Sequence, residues 1–400
     1  MWGCVGEMTA ALPVDADFLR DPYPTYEQLR VQAPVCRVRL PDGSPVWLVT
    51  RYSDVRAALA DQRLSLDKRN GDGSWQGFSL PSALDANLGN MDPPDHTRVR
   101  RLVSQAFTPR RVESLRPRIQ ETADALLDAA AARGSADLVR DYAGPLPVAV
   151  ICELLGVPAA DRDEFRSWTD TMMTPPAHDR AAAARAVGAI HAYLEKLLAA
   201  KRAEPGDDLL SALIAVRDDG DRLSEHELTS LAFLLLLAGY ENTVHAIGTG
   251  LLTLLRHPEV LAQVRADPAR LTATIEELLR LEPPSPVVLR RFPVEDLTIG
   301  GVPIPRGETV LLVVAAANRD PAEFPAPEAV DPQRSGSHLT FGHGIHFCLA
   351  ASLARTELDV AIGTVVRRFP ALRLAVPDAE LGWRPSFRTR GLASLPVLLT

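Results

Sequence analysis

Apolar residues recur every three to four positions over much of the chain, the spacing that lines one face of a helix. Alanine- and leucine-rich stretches of this kind predict helices over 108–133, 180–203, 224–256, 258–265, 269–281 and 349–368. Several carry boundary signals. Ser224 followed three residues later by Glu227 fits a capping box, and the His257-Pro258 step should end one helix and begin the next. Period-two, β-branched segments are short. They fall at 45–51 ("PVWLVTR") and 286–313, where Gly and Pro interrupt them, and the tail 371–399 has a similar texture. The pattern predicts a mainly α fold with a small β-rich region assembled from both ends of the chain. That shared region makes 1–400 read as a single domain.

Two stretches resist this periodicity. Residues 65–95 are rich in Gly, Ser, Asn and Pro, and 170–182 reads "DTMMTPPAHDRAA". Long aperiodic stretches inside a compact domain usually serve function, so 65–90 and 170–182 are expected to cover a ligand.

Composition narrows the class. Of 400 residues, 46% are hydrophobic and 24% charged, which is globular, and the net charge of −8 gives a nucleic-acid role no electrostatic support. Lys68, Lys196 and Lys201 are the only lysines among the basic residues, and we read the arginine bias as codon usage of a GC-rich bacterial genome. The cysteines, Cys4, Cys36, Cys152 and Cys348, are scattered, which argues against zinc or iron–sulfur centres and against a disulfide framework. A reducing cytoplasm is therefore expected. Residues 1–11 include Glu7 and lack the basic and apolar parts of a signal peptide. The longest apolar run, 231–240, is about half of the roughly 20 residues a bilayer span requires, so no membrane anchor is expected.

One apolar segment contains an acid. LAFLLLLAGYENTVHAIGTGLLTLL (231–255) is apolar on nearly every face, as in a helix through a protein's middle, yet Glu241 and Asn242 sit at its centre beside Gly239. Burying a carboxylate is costly unless it is paired or protonated. Either these residues meet a polar wall or helix end, or the helix is broken beside an active site where an acid manages water and protons.

The segment HLTFGHGIHFCLAASLARTELDVAIG (338–363) joins a glycine-punctuated loop to an amphipathic helix. Gly342 and Gly344 permit turns that other residues resist. Cys348 falls just before the helix, where the dipole and free N–H groups favour a thiolate. A lone cysteine is usually an inert apolar residue, and Cys4, Cys36 and Cys152 read that way. The ordered set Phe341, Gly342, Gly344, His346, Cys348 resembles the haem-binding loop of the cytochrome P450 family.

The resemblance extends from DPYPTYEQLR near the start to RGLASLPV near the end. It implies the P450 fold, with haem b between the central helix and the cysteine-loop helix and Cys348 as the iron ligand. A Glu-x-x-Arg pair occurs three times, at Glu27/Arg30, Glu113/Arg116 and Glu277/Arg280. Only the last, ahead of LEPPSPVVLRRF, has the family placement, where the pair is structural. In MDPPDHTRVRRLV (91–103), His96 and Arg100 share a helical face and, with Arg291 and His346, match positions that bind haem propionates. Ala238, Gly239, Tyr240, Glu241, Asn242 and Thr243 resemble the oxygen-activating stretch of the central helix, with Ala238 and Gly239 against the haem. The family pattern follows its acid with threonine, whereas here Asn242 follows Glu241 and Thr243 comes one place later. Asn242, Thr243, a water or a substrate hydroxyl are the alternatives for orienting the proton donor. Ala350 also departs from the pattern, which has glycine there.

The resemblance further implies a monooxygenase in which the Cys348 thiolate donates electron density to iron and favours O–O cleavage. One atom of O2 would enter a C–H bond of a hydrophobic small molecule, most naturally a polyketide or macrolide of actinobacterial secondary metabolism, with steroids and terpenoids open. Val287, Val288 and Phe387 are the pocket candidates. The chain carries no flavin or iron–sulfur segment, so electrons from NAD(P)H are expected through ferredoxin and ferredoxin reductase, docking on a basic face with Arg98, Arg101, Arg110 and Arg111. A monomer is expected. Other readings are a haem-thiolate enzyme for epoxidation, oxidative coupling or peroxide-driven oxidation, and a non-catalytic haem-binding protein.

Overall fold

A computed structural model describes residues 11–75, 82–85, 87–173, 179, 181–215 and 223–400. Cys4, most of the N-terminal stretch 1–11, and parts of the covering segments (76–81, 86, 174–178 and 180) lie outside the described residues.

The fold is organised around a 32-residue helix, Glu225–Arg256. Its start is fixed as the sequence predicts: the Ser224 backbone N–H donates to Glu227 Oε2 at 2.7 Å, and the Glu227 N–H returns to Ser224 Oγ at 3.3 Å. The helix is long and apolar enough to cross a membrane by length and composition alone, but most of its apolar stretch is covered by protein. Around it pack Pro145–Leu155, Ala182–Ala203, Leu271–Leu281 and Ala351–Arg368, and the last of these also lies along Pro109–Ala131. Leu236, Ile247, Leu251, Leu278, Ile362 and Val365 contribute to one large apolar core. Burying each such side chain contributes about 1.5–3 kcal/mol.

Helices begin and end within a few residues of the sequence-based limits, with Pro258 opening Pro258–Ala266 after the His257 cap. Helices at Tyr52–Ala60, Pro145–Leu155 and Arg162–Met173 lie outside the set expected from the sequence. Pro145–Leu155 is buried on almost all sides, and a helix with no polar face shows no stripe.

The β-rich region does join distant segments. Val35–Arg39 pairs antiparallel with Pro45–Val49, which pairs in parallel with Val310–Leu312, Trp47 facing Val310. The tail departs from expectation: Pro396–Leu398 pairs with Ser135–Asp137 and Arg373–Leu374 in a separate sheet. The N-terminal sheet already has its third strand, so the tail closes over the helical side.

The central helix also corrects a reading. It is continuous through Gly239 and Glu241, with no break. Side chains there bond to the backbone one turn earlier instead: Thr243 Oγ1 donates to the Gly239 carbonyl at 2.8 Å, and Asn242 Nδ2 to the Ala238 carbonyl at 3.2 Å.

Candidate cofactor site around Cys348

Cys348 sits on a short loop between a helical turn, Gly344–His346, and the helix Ala351–Arg368. Gly342 and Gly344 have φ of +77° and +75°, values L-residues rarely adopt. A Cβ on Gly344 would also stand 3.1 Å from Ala60 Cα, so the loop passes hard against Tyr52–Ala60. The Cys348 N–H donates to the Phe341 carbonyl at 2.8 Å, closing the loop. Ala350 has φ −92°, a conformation open to any residue, so its departure from glycine introduces no backbone strain.

The loop is tied to the Glu277 helix. Thr340 Oγ1 donates to the Leu279 carbonyl at 2.7 Å, and the Leu339 N–H donates to Asn318 Oδ1 at 2.8 Å. Beside it, Arg355 bonds both Glu276 oxygens at 2.7 Å and lies 4.4 Å above the Phe341 ring. Sequence reasoning passed over both Glu276 and Arg355.

Burial pushes the Cys348 thiol up, against the opposing pull of the Ala350 N–H, Arg100 and Arg355. The helix start alone therefore does not yield a thiolate here. Ligation by a cation would, because a metal deprotonates its coordinating thiol. Among the described residues no three His, Cys, Asp or Glu side chains converge as a metal set, so an iron at Cys348 would bring its other ligands with it.

Facing the cysteine loop, the helix Asp95–Ala106 buries His96 and turns Arg100 so that it donates to the Phe347 carbonyl at 2.8 Å. The rings of His96 and His346 meet at a 54° tilt with centroids 4.2 Å apart. Arg291 is 4% exposed and donates to the Leu64 carbonyl at 3.3 Å. Both ring nitrogens of His96 and Nε of Arg291 are buried without a partner. Burial lowers all four groups. His346 is pushed down to about 3 by burial and by the charges of His96, Arg291 and Arg100, and Arg291 to about 10 by burial. Buried N–H donors without acceptors are uncommon, and such groups normally find a partner. A cluster of unmatched donors and cations fits a ligand that brings buried carboxylates, as haem propionates do.

Ala238 is exposed and Leu234, Leu235, Glu241 and Asn242 are half-buried, a more open stripe along the buried middle of the helix. Gly239 is also half-buried and packs on Ile151, with 3.3 Å from its would-be Cβ to Ile151 Cδ1. Glu241 Oε1 lies 3.5 Å from His245 Nε2. Leu289, 54% exposed, and Leu234 both approach Gly89, at 3.3 and 4.0 Å from a would-be Cβ there, and sequence reasoning missed Leu289. Of the expected pocket residues, Val287 and Phe387 share one apolar cluster with Trp75, but Val288 packs into another beside Val310 and Leu312. Alternation along an extended segment sends neighbouring side chains to opposite faces, so Val287 and Val288 do not line one wall together.

The Glu277–Arg280 pair is buried, at 4% and 2% exposure. Arg280 grips the carboxylate at 2.7 and 2.8 Å and also donates to the Asn318 carbonyl at 2.8 Å. Arg334 adds a bond of 3.0 Å to Glu277 that the sequence did not signal. Burial opposes the Glu277 charge, but these bonds hold its carboxyl below the ordinary range. The other two candidates differ. Arg116 pairs with Glu113 at the surface, and Arg30 bonds the Ala316 carbonyl. The expected basic face is partly spent, since Arg98 pairs with Glu227 and Arg111 donates to the Asp208 carbonyl at 2.9 Å.

The P450 family profile matches residues 25–375, and the chain belongs to the cytochrome P450 family. It is 49% identical to the vitamin D(3) 25-hydroxylase of Pseudonocardia autotrophica, covering 96% of this chain and 94% of that protein. It is 45% identical to the 6-deoxyerythronolide B hydroxylase of Saccharopolyspora erythraea, covering 98% of this chain and 100% of the relative. The solved structure of the ligand-free P450 monooxygenase TamI superposes with a TM-score of 0.91 at 44% identity, covering 98% of this chain and 94% of that one. The protein is thus a haem-dependent P450 monooxygenase, an oxidoreductase.

Proposed function

We propose that the chain hydroxylates a C–H bond of a polyketide- or macrolide-type natural product, with haem b bound between Ala238 and Cys348. The observation that carries the haem placement is the set of buried, unmatched donors on His96 and Arg291 beside His346 and Arg100, across from Cys348 on its glycine-shaped loop. In this reading His96, Arg100, Arg291 and His346 hold the two propionates, for which arginine offers two-point contacts. Phe341 and Gly342 shape the sulfur pocket, while Ala238 and Gly239 let the other haem face approach the central helix. Bound haem supplies dioxygen activation and oxygen-atom transfer.

The residues around it handle water and protons. Glu241 is the acid at the edge of the site, half-buried and within reach of solvent on one side and His245 on the other. Asn242 and Thr243 follow it on the same helical turn. Val287, Leu289 and Phe387 give the substrate an apolar wall. Support for the substrate class comes from relatives such as the 6-deoxyerythronolide B hydroxylase. The vitamin D(3) 25-hydroxylase supports a second reading, a steroid-like substrate.

The chain works in this reading as one cytoplasmic, monomeric domain. It receives electrons from NAD(P)H through ferredoxin and its reductase, because its scattered cysteines provide no iron–sulfur set of its own.

The test is the absorption spectrum of the purified protein reduced with dithionite under carbon monoxide. A strongly red-shifted Soret band in the parent and in Cys152→Ala, lost in Cys348→Ala, is the expected result. Equal behaviour of the two variants would overturn Cys348 as the ligand.

A further inference from the structure

We propose that Ser285 is a positioning residue that fixes the Asn242 amide, so that Asn242 and not Thr243 presents the hydrogen-bond donor to a small ligand on the distal haem face. The inference rests on the haem-thiolate reading above.

The orientation of the amide follows from its partners. A backbone carbonyl can only accept, so the group 3.2 Å from the Ala238 oxygen must be the Asn242 nitrogen. The opposite orientation would set two oxygens against each other. The amide oxygen then faces Ser285, whose Oγ donates to Oδ1 at 2.7 Å. A primary amide carries two N–H hydrogens. One is spent on Ala238, and the second has no acceptor among the described residues. Asn242 is half-buried, four residues along the helix from exposed Ala238, which puts both on the site-facing side.

Thr243 is differently placed. It is 6% exposed, and its single hydroxyl hydrogen is spent on the Gly239 carbonyl at 2.8 Å. A hydroxyl used this way has no hydrogen left for the cavity.

Ser285 is well suited to hold a rotamer because its own backbone is held. It lies in Pro283-Pro284-Ser285-Pro286, where proline rings fix φ on both sides and the residue before a proline is kept extended. The carbonyls of both neighbours are pinned. Pro284 accepts from the Arg390 N–H at 2.8 Å, and Pro286 from the Ala315 N–H at 3.0 Å. Two separate segments thus clamp the platform from which Ser285 reaches the central helix. The chain replaces a hydroxyl that is self-contained on the helix with an amide that needs an external brace.

The test uses the reduced holoprotein, with carbon monoxide as the probe and its infrared stretch as the readout, because that stretch responds to a donor beside the bound ligand. The parent should give one narrow band, and Asn242→Ala should move it to higher wavenumber. Ser285→Ala should split or broaden it, with part of the intensity at the Asn242→Ala position, and Ser285→Thr should restore the single band. Thr243→Val should keep the parent band. A Ser285→Ala band identical to the parent, an unmoved band in Asn242→Ala, or a Thr243→Val shift matching Asn242→Ala would each overturn the proposal. Failure of the parent itself to give a thiolate-type Soret band would overturn the haem-thiolate reading instead.

Discussion

The rings of His96 and His346 meet at 4.2 Å with Arg291 and Arg100 beside them, and the nearby carboxylates of Asp92 and Asp61 offset only part of the cost of burying these bases. Burial disfavours charge in all four groups, and the neighbouring cations add to that cost at the two histidines. The binding of a doubly anionic group would reverse that penalty. Part of the haem affinity is in this view stored as unmet hydrogen bonding in the protein.

Arg291 tests this directly. Replacing it with methionine removes a buried guanidinium whose Nε has no partner, a change that is often neutral or stabilising. The haem-free variant should therefore unfold in urea at or above the parent midpoint. Haem retention should fall, because hydrogen bonds to charged groups contribute about 1.5–3 kcal/mol, or about 10–100-fold in affinity. Transfer of haem to an excess acceptor protein measures this. Unchanged transfer would remove Arg291 from the propionate set.

Glu277 and Glu113 share the same local motif and should have opposite consequences. Glu277→Gln leaves Arg280 and Arg334 buried around a neutral group, which should cost about 3–5 kcal/mol. Glu113→Gln removes a surface pair with Arg116 and should change stability by about 1 kcal/mol or less. Urea midpoints of the two variants decide it. Similar losses would mean that the buried network carries no special weight.

That contrast also shows what sequence could convey. The apolar run of 231–255 could only be a core helix, and β-branched alternation marked Pro45–Val49, because both signals are local. The choice of Glu277 among three equal pairs needed its position relative to the cysteine loop. Arg334, Ser285 and Arg355 gave no signal, since each acquires meaning only when a distant segment closes on it: Arg334 on Glu277, Ser285 on Asn242, Arg355 on Glu276. Of the two readings of Glu241 and Asn242, the helix break fails for a physical reason. Side-chain bonds to the carbonyls of 238 and 239 accommodate polar residues without interrupting the helix.

Glu357, on the cysteine-loop helix, is 3% exposed, and its Oε2 has no partner. Burial raises its carboxyl well above the ordinary value of 4.5. It is protonated in the fold and ionised in the unfolded chain, so its contribution is full below about 4.5 and is lost as pH rises toward the folded value. Glu357→Gln removes that dependence. The variant should match the parent near pH 5 and gain on it toward pH 8, by up to about 1.4 kcal/mol per pH unit. Thermal midpoints at the two pH values measure the gain, and parallel pH profiles would show that Glu357 is ionised in the fold.

Gly391 links the tail to the distal acid. A Cβ there would stand 2.0 Å from His245 Nδ1, far inside contact, so the ring and an alanine cannot both keep their places. His245 is 2% exposed, and its Nε2 lies 3.5 Å from Glu241 Oε1. That separation allows an electrostatic contact but is long for a hydrogen bond. Gly391→Ala should cost about 1–3 kcal/mol by overpacking. It should also move His245 away from Glu241 while the haem stays bound. Because the damage passes through the ring, removing the ring should relieve it. Gly391→Ala combined with His245→Ala should be less destabilised than the sum of the single variants, with a coupling of about 0.5–3 kcal/mol. Strict additivity in urea would show that Gly391 acts on the tail alone. Glu241→Gln completes the comparison, with haem retained and turnover slowed. Should Gly391→Ala slow turnover to the same degree with Glu241 intact, the tail would be acting on the acid through His245.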